Sequence, residues 1–148
     1  MAGASSPVNA LKRMIEGGPP PPCSRTLGFR GARIEADHVV LEYEPGEHLL
    51  NPIGTVQGGF VAAILDDVFS VALLARLDDH HAAPTVEMKV SYIAPVKPGL
   101  VRGIGRVLKK GGSLAFAESE LRDAEDRLLA KASATIVIRS LTRQSNER

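Results

Sequence analysis

The sequence from Gln57 to Leu77 reads QGGFVAAILDDVFSVALLARL and has only two acidic residues before Arg76. Its large apolar residues recur at the spacing of an α-helix and cover a wide arc of that helix. These residues are Val61, Ile64, Leu65, Val68, Phe69, Val71 and Ala72. The arc is wider than a helix with one buried stripe requires. The pattern therefore predicts a long helix that other elements cover on several sides.

Strand patterns flank this helix on both sides. Before it, apolar and polar residues alternate between Thr26 and Glu44 and predict two strands that turn near Ala36 and Asp37. After it, turn residues separate four further strand patterns, which indicates an antiparallel meander. These patterns cover residues 85–94, 100–108, 113–122 and 128–139. One apolar helix and about six antiparallel strands predict an α+β fold in which the sheet wraps around the long central helix.

The chain divides into three segments. Residues 1–24 contain a short helical pattern followed by a stiff, proline-rich connector from Pro19 to Pro22. Residues 25–140 contain the long helix and all the strand patterns, and they form the one predicted domain. Residues 141–148 are polar and predict a loose tail.

The composition argues against several classes of protein. The 148 residues are 44% hydrophobic and 24% charged, a balance that suits one globular domain. A formal net charge of +1 lacks the positive field that holds proteins on nucleic acid or on an anionic membrane, so neither partner is expected. The single cysteine, Cys23, excludes an internal disulfide and any metal site built from several cysteines. The sequence has no secretory signal and no long apolar run, which predicts a cytoplasmic protein.

The segment before the long helix, NPIGTVQGG at residues 51–59, carries candidate catalytic groups. Glycines at a helix start present backbone N–H groups that have no acceptor within the helix, and the helix dipole favours negative charge there. Gly58 and Gly59 are therefore candidates for an oxyanion hole. The same glycines also fit a helix start that only needs close packing, and their spacing leaves both interpretations open.

Asp66 lies in the same predicted helix, eight residues after Gly58. Asp67, its neighbour, points instead toward Phe60 and Leu74. At about 100° per residue, Asp66 shares a face with small residues. These are Gly59, Ala62, Ala63 and Ser70. Such a face allows close approach of another backbone or leaves room for a ligand, whereas simple solvent exposure is the alternative for a helical aspartate.

One helix cannot bring both candidate groups to a single carbonyl. Eight residues with a rise of 1.5 Å each separate Gly58 from Asp66 by roughly 12 Å along the axis. If both act on one substrate, the Gly58 N–H comes from one subunit and the Asp66 carboxylate from another. We therefore expect a homodimer, or a dimer of dimers, with active sites shared between subunits.

The chain resembles the hotdog-fold acyl-CoA thioesterases of the phenylacetate-degradation (PaaI-like) type in three motifs taken together. They are NxxGxxQGG at residues 51–59, Asp66, and TVEMxVxY at residues 85–92. The resemblance runs from about Leu49 to Ile138 and so assigns residues 25–140 to this family. It implies a helix wrapped by an antiparallel sheet, with hydrolysis of an acyl-CoA substrate that needs no metal or bound cofactor.

The resemblance also implies roles for individual residues. Asp66 corresponds to the nucleophile or general base, and the Gly58 amide to the group that binds the thioester oxygen. Asn51 and Gln57 would position substrate or water, and Thr85 would help to hold the water. Many members of the family carry histidine where this chain has Gln57, so the ionisable ring is absent here.

Four further residues are candidates for substrate binding. Gly59 adds a second amide at the helix start. Arg106, Lys109 and Lys110 precede the turn at residues 111–112, where they could meet the phosphates of coenzyme A. Charges near a hairpin also serve solubility alone, so both interpretations stay open.

Two functions other than hydrolysis remain as alternatives. One is an acyl-CoA-binding protein with weak or no catalysis, an alternative suggested by Gln57. The other is a hotdog hydratase or dehydratase, which would be expected to show a different arrangement of aspartate and histidine.

Overall fold

The computed structural model of the protein describes residues 6–141. Within this range the α-helices are α1 (Pro7–Ile15), α2 (Pro22–Thr26) and α3 (Gly58–Leu74), and a 3-10 helix covers Glu47–Leu49. The strands are β1 (Phe29–Ile34), β2 (Val39–Tyr43), β3 (His81–Ala82), β4 (Thr85–Tyr92), β5 (Val101–Lys110), β6 (Leu114–Arg122), β7 (Leu128–Val137) and β8 (Arg139–Ser140). Residues 142–148 of the predicted tail lie outside the described residues. In the described part of the chain, no helix has the length and apolar character needed to cross a membrane.

Six strands form one antiparallel sheet in the order β1-β2-β5-β6-β7-β4, while β3 and β8 form a separate pair. The long helix α3 packs on one face of the six-stranded sheet, with contacts to β5, β6 and β7. Ile64, Leu65, Val68 and Phe69 of α3 are completely buried. The predicted α+β arrangement, about six antiparallel strands around one long helix, is confirmed.

The predicted meander is wrong for its first strand. β4 pairs with β7 at the edge of the sheet, whereas β5 pairs with β2 and β6. Residues 93–100 connect β4 to β5 and contain Pro95 and Pro98, so this connection crosses the sheet instead of forming a hairpin. Turn residues mark where a strand ends, but they do not determine which edge of the sheet the next strand joins.

Two glycines of β5 allow α3 to lie close to the sheet. A Cβ atom at Gly103 would lie 2.3 Å from Val68 Cγ2, and a Cβ atom at Gly105 would lie 2.7 Å from the Val68 carbonyl oxygen. Both separations are shorter than van der Waals contact, so a side chain at either position would push the helix away. Gly103 and Gly105 thus set the depth at which α3 lies on the sheet.

The edge strand β4 contains a bulge at Val86. Its register against β7 shifts between Thr85 and Glu87. Side chains alternate along a regular strand, so Thr85 and Tyr92, seven positions apart, would face opposite sides. The extra residue at the bulge shifts the alternation by one position, so that both side chains face the same side and form hydrogen bonds with α3.

The N-terminal segment packs on the sheet and α3. Val8, Leu11 and Met14 of α1 are buried. The helix α2 was not expected from the sequence, which predicted only a connector. Pro22 is the first residue of α2, a position at which a backbone N–H would have no acceptor within the helix, so proline is tolerated there. Because α2 extends from residue 22 to residue 26, it crosses the predicted boundary at residue 24, and that boundary stays a prediction.

Candidate active site

The start of α3 presents one backbone N–H group that has no acceptor in the described part of the chain. Gln57 is the N-cap, and its Oε1 accepts a hydrogen bond from the Gly59 N–H at 2.7 Å. The N–H groups of Phe60 and Val61 donate to the Gln57 carbonyl oxygen. Among residues 6–141, no hydrogen bond uses the Gly58 N–H. The two predicted amides therefore differ, because Gly59 is engaged by Gln57 and Gly58 is available to an external acceptor.

Asn51 organises the loop before α3. Its Nδ2 donates to Thr55 Oγ1 at 2.9 Å, and its Oδ1 accepts from the N–H groups of Ile53 at 3.1 Å and Thr55 at 3.2 Å. Gly54 has a φ of +82°, a conformation that glycine adopts without strain. The Asn51 side chain is thus used within the loop, and its contact with substrate or water stays a prediction.

Asp66 and Thr85, both candidate site residues, are in direct contact. Thr85 Oγ1 donates a hydrogen bond to Asp66 Oδ1 at 2.8 Å, which joins the first residue of β4 to the middle of α3. Within the described residues, no hydrogen bond reaches Asp66 Oδ2. One carboxylate oxygen is therefore oriented by Thr85, while the other is free to accept a proton or to attack a carbonyl.

The face of α3 that carries Asp66 is less covered than the rest of the helix. Gly59 is exposed, and the small residues Ala62, Ala63 and Ser70 are half-buried, as is Asp66 itself. The apolar residues of the arc predicted from the sequence, Val61 to Ala72, are buried. The small-residue face predicted from the sequence therefore remains open in the single chain.

Tyr92 at the end of β4 reaches the start of α3. Its hydroxyl donates a hydrogen bond to the Gly58 carbonyl oxygen at 2.8 Å. Tyr92, Gly58 and Val61 line part of a cavity of about 330 Å³ beside the helix start. The motif at residues 85–92 includes Tyr92, but a contact between residues 34 positions apart leaves no local signal in the sequence.

The predicted binding residues for coenzyme A lie on two faces of the sheet. Arg106 follows the inward-facing Gly105, so it faces away from α3, and Lys109 pairs with the exposed Phe116 on that same outer face. Lys110 lies in a row of paired residues that crosses four strands to the candidate site. This row is Lys110, Ala115, Ile136 and Thr85. Three strand spacings place Lys110 roughly 14 Å from Thr85.

Asp67 has buried partners on another side of α3. The Tyr43 hydroxyl donates to Asp67 Oδ2 at 2.5 Å, and Ser24 supplies a further hydrogen bond. Burial raises the pKa of Asp67 above its usual value, although the bonds from Tyr43 and Ser24 act in the opposite direction. Burial also raises the pKa of Tyr43, so its hydroxyl keeps its proton and remains a donor. Helical spacing alone did not indicate these partners.

We expect Asp67→Asn to gain stability relative to the unmodified protein as pH rises. A raised pKa in the folded chain means that this carboxyl contributes most stability below its unfolded pKa of 3.8 and loses that contribution as pH rises through the folded pKa. Asparagine has no proton to lose there and still offers an oxygen to Tyr43. Urea unfolding of both proteins between about pH 4 and pH 8 measures the difference. A difference that stays constant or shrinks with pH contradicts this expectation.

Comparisons with known proteins identify the family. The sequence model of the thioesterase superfamily matches residues 53–130, more than half of the chain. The chain belongs to the thioesterase superfamily. Acyl-coenzyme A thioesterase 13 of Homo sapiens is similar to this superfamily member, with 35% identity over 101 residues that cover 66% of this chain and 70% of the human protein.

Two solved structures are similar to this thioesterase superfamily member. One, from Ralstonia eutropha JMP134, is named as a phenylacetic acid degradation-related protein and has a TM-score of 0.77 with 33% identity, covering 87% of this chain and 99% of that chain. The other, a thioesterase family protein of Silicibacter pomeroyi, has a TM-score of 0.78 with 24% identity, covering 89% and 97%, and supports the fold alone. The predicted resemblance, the hotdog fold and the enzyme class are thus confirmed: the chain is a thioester hydrolase.

Proposed function

We propose that this thioester hydrolase acts on acyl-CoA substrates, in active sites that two copies of the chain form together. The observation that carries the proposal is the unengaged Gly58 N–H at the start of α3, on the same helix as a carboxylate with one free oxygen. The substrate class is supported by the human relative, whose name describes an acyl-CoA thioesterase.

The Gly58 N–H would bind the thioester oxygen. When the carbonyl is attacked, negative charge develops on this oxygen, and a donor already aimed at it does not need to reorganise. The positive end of the α3 dipole lies at the same place and adds to the effect. A single donor of this kind typically lowers the barrier by about 3 kcal/mol.

Asp66 would supply either the base or the nucleophile. As a base, its Oδ2 takes a proton from water, the water oxygen bonds to the carbonyl carbon, and the collapsing oxyanion expels the thiolate of coenzyme A. As a nucleophile, the same oxygen bonds to the carbonyl carbon and expels the thiolate, and water then hydrolyses the resulting anhydride to the free acid. In both routes Thr85 orients the carboxylate through Oδ1.

The two groups would come from different copies of the chain. Gly58 and Asp66 are separated by roughly 12 Å along α3, too far to reach one carbonyl. The half-buried face of small residues around Asp66 allows close approach of a second backbone. β4 also ends the sheet beside this face, and among residues 6–141 no further strand pairs with its outer edge, so a second copy can cover it. A two-fold axis would then create two equivalent sites, each with Asp66 from one copy and Gly58 from the other.

Lys110 is the best placed of the three cations for a phosphate of coenzyme A. It lies in the same strand row as Thr85, at a distance that the long arm between the thioester and the phosphates can span. Its positive charge would attract the phosphate without contacting the reacting bond. Arg106 and Lys109 face the outer side of the sheet, so they would need a different path for the nucleotide.

A thiol-release assay across short, medium, long and aromatic acyl-CoA substrates tests the proposal. We expect release of coenzyme A with at least one class of acyl group, in the absence of added metal or cofactor. Tight binding of acyl-CoA without release of thiol would identify a binding protein instead. Hydration of an enoyl-CoA without cleavage of its thioester would identify a hydratase.

A further inference from the structure

We propose that Tyr92 is a positioning residue, which holds the first peptide unit of α3 so that the Gly58 N–H points at the substrate oxygen. This inference rests on the proposed function, in which the Gly58 N–H binds the thioester oxygen. Tyr92 does not touch the reacting atoms in this proposal. It acts through the backbone of Gly58, whose carbonyl oxygen accepts the Tyr92 hydroxyl hydrogen bond at 2.8 Å.

The peptide unit between Gly58 and Gly59 is held at both ends. Its carbonyl oxygen accepts from Tyr92 at 2.8 Å, and its N–H donates to Gln57 Oε1 at 2.7 Å. Consecutive glycines have the widest choice of backbone angles, so this unit has little intrinsic preference for one direction. Two side chains supply the restraint that the glycines lack, and they leave the preceding N–H, that of Gly58, as the free donor.

Tyr92 contributes little to the core, so its main structural contribution is the hydrogen bond of its hydroxyl group. The residue is 56% exposed. Its ring passes close to the helix start, because a Cβ atom built on Gly58 would lie 3.4 Å from Tyr92 Cε1 and Cζ. An aromatic ring with this exposure adds little to the hydrophobic stability of the fold. Its hydrogen bond to a first-turn carbonyl instead restrains the local geometry.

The edge strand β4 would thereby hold both catalytic groups of one chain. Thr85 at its first residue orients the Asp66 carboxylate, and Tyr92 at its last residue orients the start of the helix. The bulge at Val86 is what allows both side chains to face α3. Hydrogen bonds from a strand that is itself paired in the sheet are suited to this task because catalysis is sensitive to displacements of about 1 Å.

Tyr92→Phe tests the proposal, with Ser119→Ala as the matched control. Both substitutions remove a hydroxyl that donates to a backbone carbonyl of α3, since Ser119 Oγ donates to the Leu65 carbonyl oxygen at 2.9 Å. The variants therefore differ in which part of the helix loses its bond. Two measurements are made on each full-length protein: steady-state thiol release, and hydrogen exchange of the Phe60 and Val61 amides, which report opening of the first turn.

For Tyr92→Phe we expect kcat to fall about tenfold with KM within about twofold of the unmodified protein. The Phe60 and Val61 amides should exchange about fivefold faster, the effect of one lost hydrogen bond. Ser119→Ala should change neither quantity. An unchanged kcat in Tyr92→Phe overturns the proposal. So does a reduced kcat with unchanged exchange, because Tyr92 would then act on the substrate directly.

The exchange measurement also separates this inference from the proposed function. If the unmodified protein releases thiol from no acyl-CoA, the proposed function fails, and with it the catalytic purpose assigned to the Gly58 N–H. Exchange at Phe60 and Val61 would still report whether Tyr92 holds the helix start. Unchanged exchange in Tyr92→Phe would show that Tyr92 does not restrain the helix start. Faster exchange in Tyr92→Phe but not in Ser119→Ala would support the restraint.

Discussion

Asp66→Asn is expected to lower turnover of acyl-CoA by about a thousandfold while the protein stays folded. An amide neither takes a proton from water nor attacks a thioester carbonyl at a useful rate. Asparagine has nearly the same shape as aspartate, and its Oδ1 can still accept the hydrogen bond from Thr85. The contact between α3 and β4 is therefore preserved. Thiol release measures the loss, and thermal unfolding checks that the fold is retained.

The neighbouring residue provides the control for this substitution. Asp67→Asn makes the same chemical change one position along the helix, where the side chain meets Tyr43 instead of the open small-residue face. We expect its kcat to change by less than about threefold, since no part of the proposed reaction uses Asp67. Near-normal turnover in Asp66→Asn would remove Asp66 from the mechanism and leave the family assignment untouched.

Mixed dimers of two inactive variants are expected to regain about a quarter of normal activity. One variant is Asp66→Asn, and the other is Gly58→Pro, which deletes the proposed oxyanion donor. Proline is tolerated at the first position of a helix, because its fixed φ suits that position and its missing N–H has no partner within the helix. Gln57 already has the extended conformation, with φ −62° and ψ 139°, that a following proline requires.

Gly58→Ala is the matched control for Gly58→Pro. Alanine keeps the N–H, and its Cβ would lie 3.4 Å from Tyr92, which is ordinary van der Waals contact. We expect proline to lower kcat by a hundredfold or more, the usual cost of losing one oxyanion donor, and alanine to lower it far less. An equal loss in both variants would mean that bulk at this position is harmful and that the N–H is not the reason.

The recovered fraction follows from how the subunits combine. Random pairing of equal amounts makes half of the dimers mixed, and each mixed dimer has one doubly altered site and one intact site. About a quarter of all sites are therefore intact if each site takes Asp66 from one copy and Gly58 from the other. A site built within one chain gives no recovery. Activity at the background of the separate variants, with subunit exchange confirmed by mass spectrometry, would contradict the shared site.

Local patterns were sufficient to predict the elements that surround the site. The apolar arc of α3 and the alternation in the strands are repeated signals, so their positions came within a few residues of those observed. The family resemblance placed both Asp66 and Thr85 in the predicted site, but the direct hydrogen bond between them was not predicted. Spacing along one helix was also enough to show that Gly58 and Asp66 cannot reach the same carbonyl within one chain.

Contacts between distant positions account for what the sequence did not reveal. The pairing of β4 with β7, the bond from Tyr43 to Asp67 and the bond from Tyr92 to Gly58 each join segments far apart in the chain. No local periodicity records such a pairing, because the strand pattern of β4 is the same whichever neighbour it meets. The bulge at Val86 hides a further contact, since strict alternation would place Thr85 and Tyr92 on opposite faces.

If a second copy pairs with the outer edge of β4, as proposed, the charges on that edge would select the alignment of the two strands. In a two-fold antiparallel pair, the symmetry axis passes beside one residue, which then faces its own copy. With Met88 on the axis, Glu87 of each strand lies opposite Lys89 of the other, and two attractive pairs form. Moving the axis to Lys89 sets two ammonium groups against each other. Glu87 and Lys89, which are both exposed, would thus favour the alignment with Met88 on the axis over the alignment with Lys89 on the axis. The relative position of the catalytic groups in the two copies would then depend on charges that take no part in the reaction.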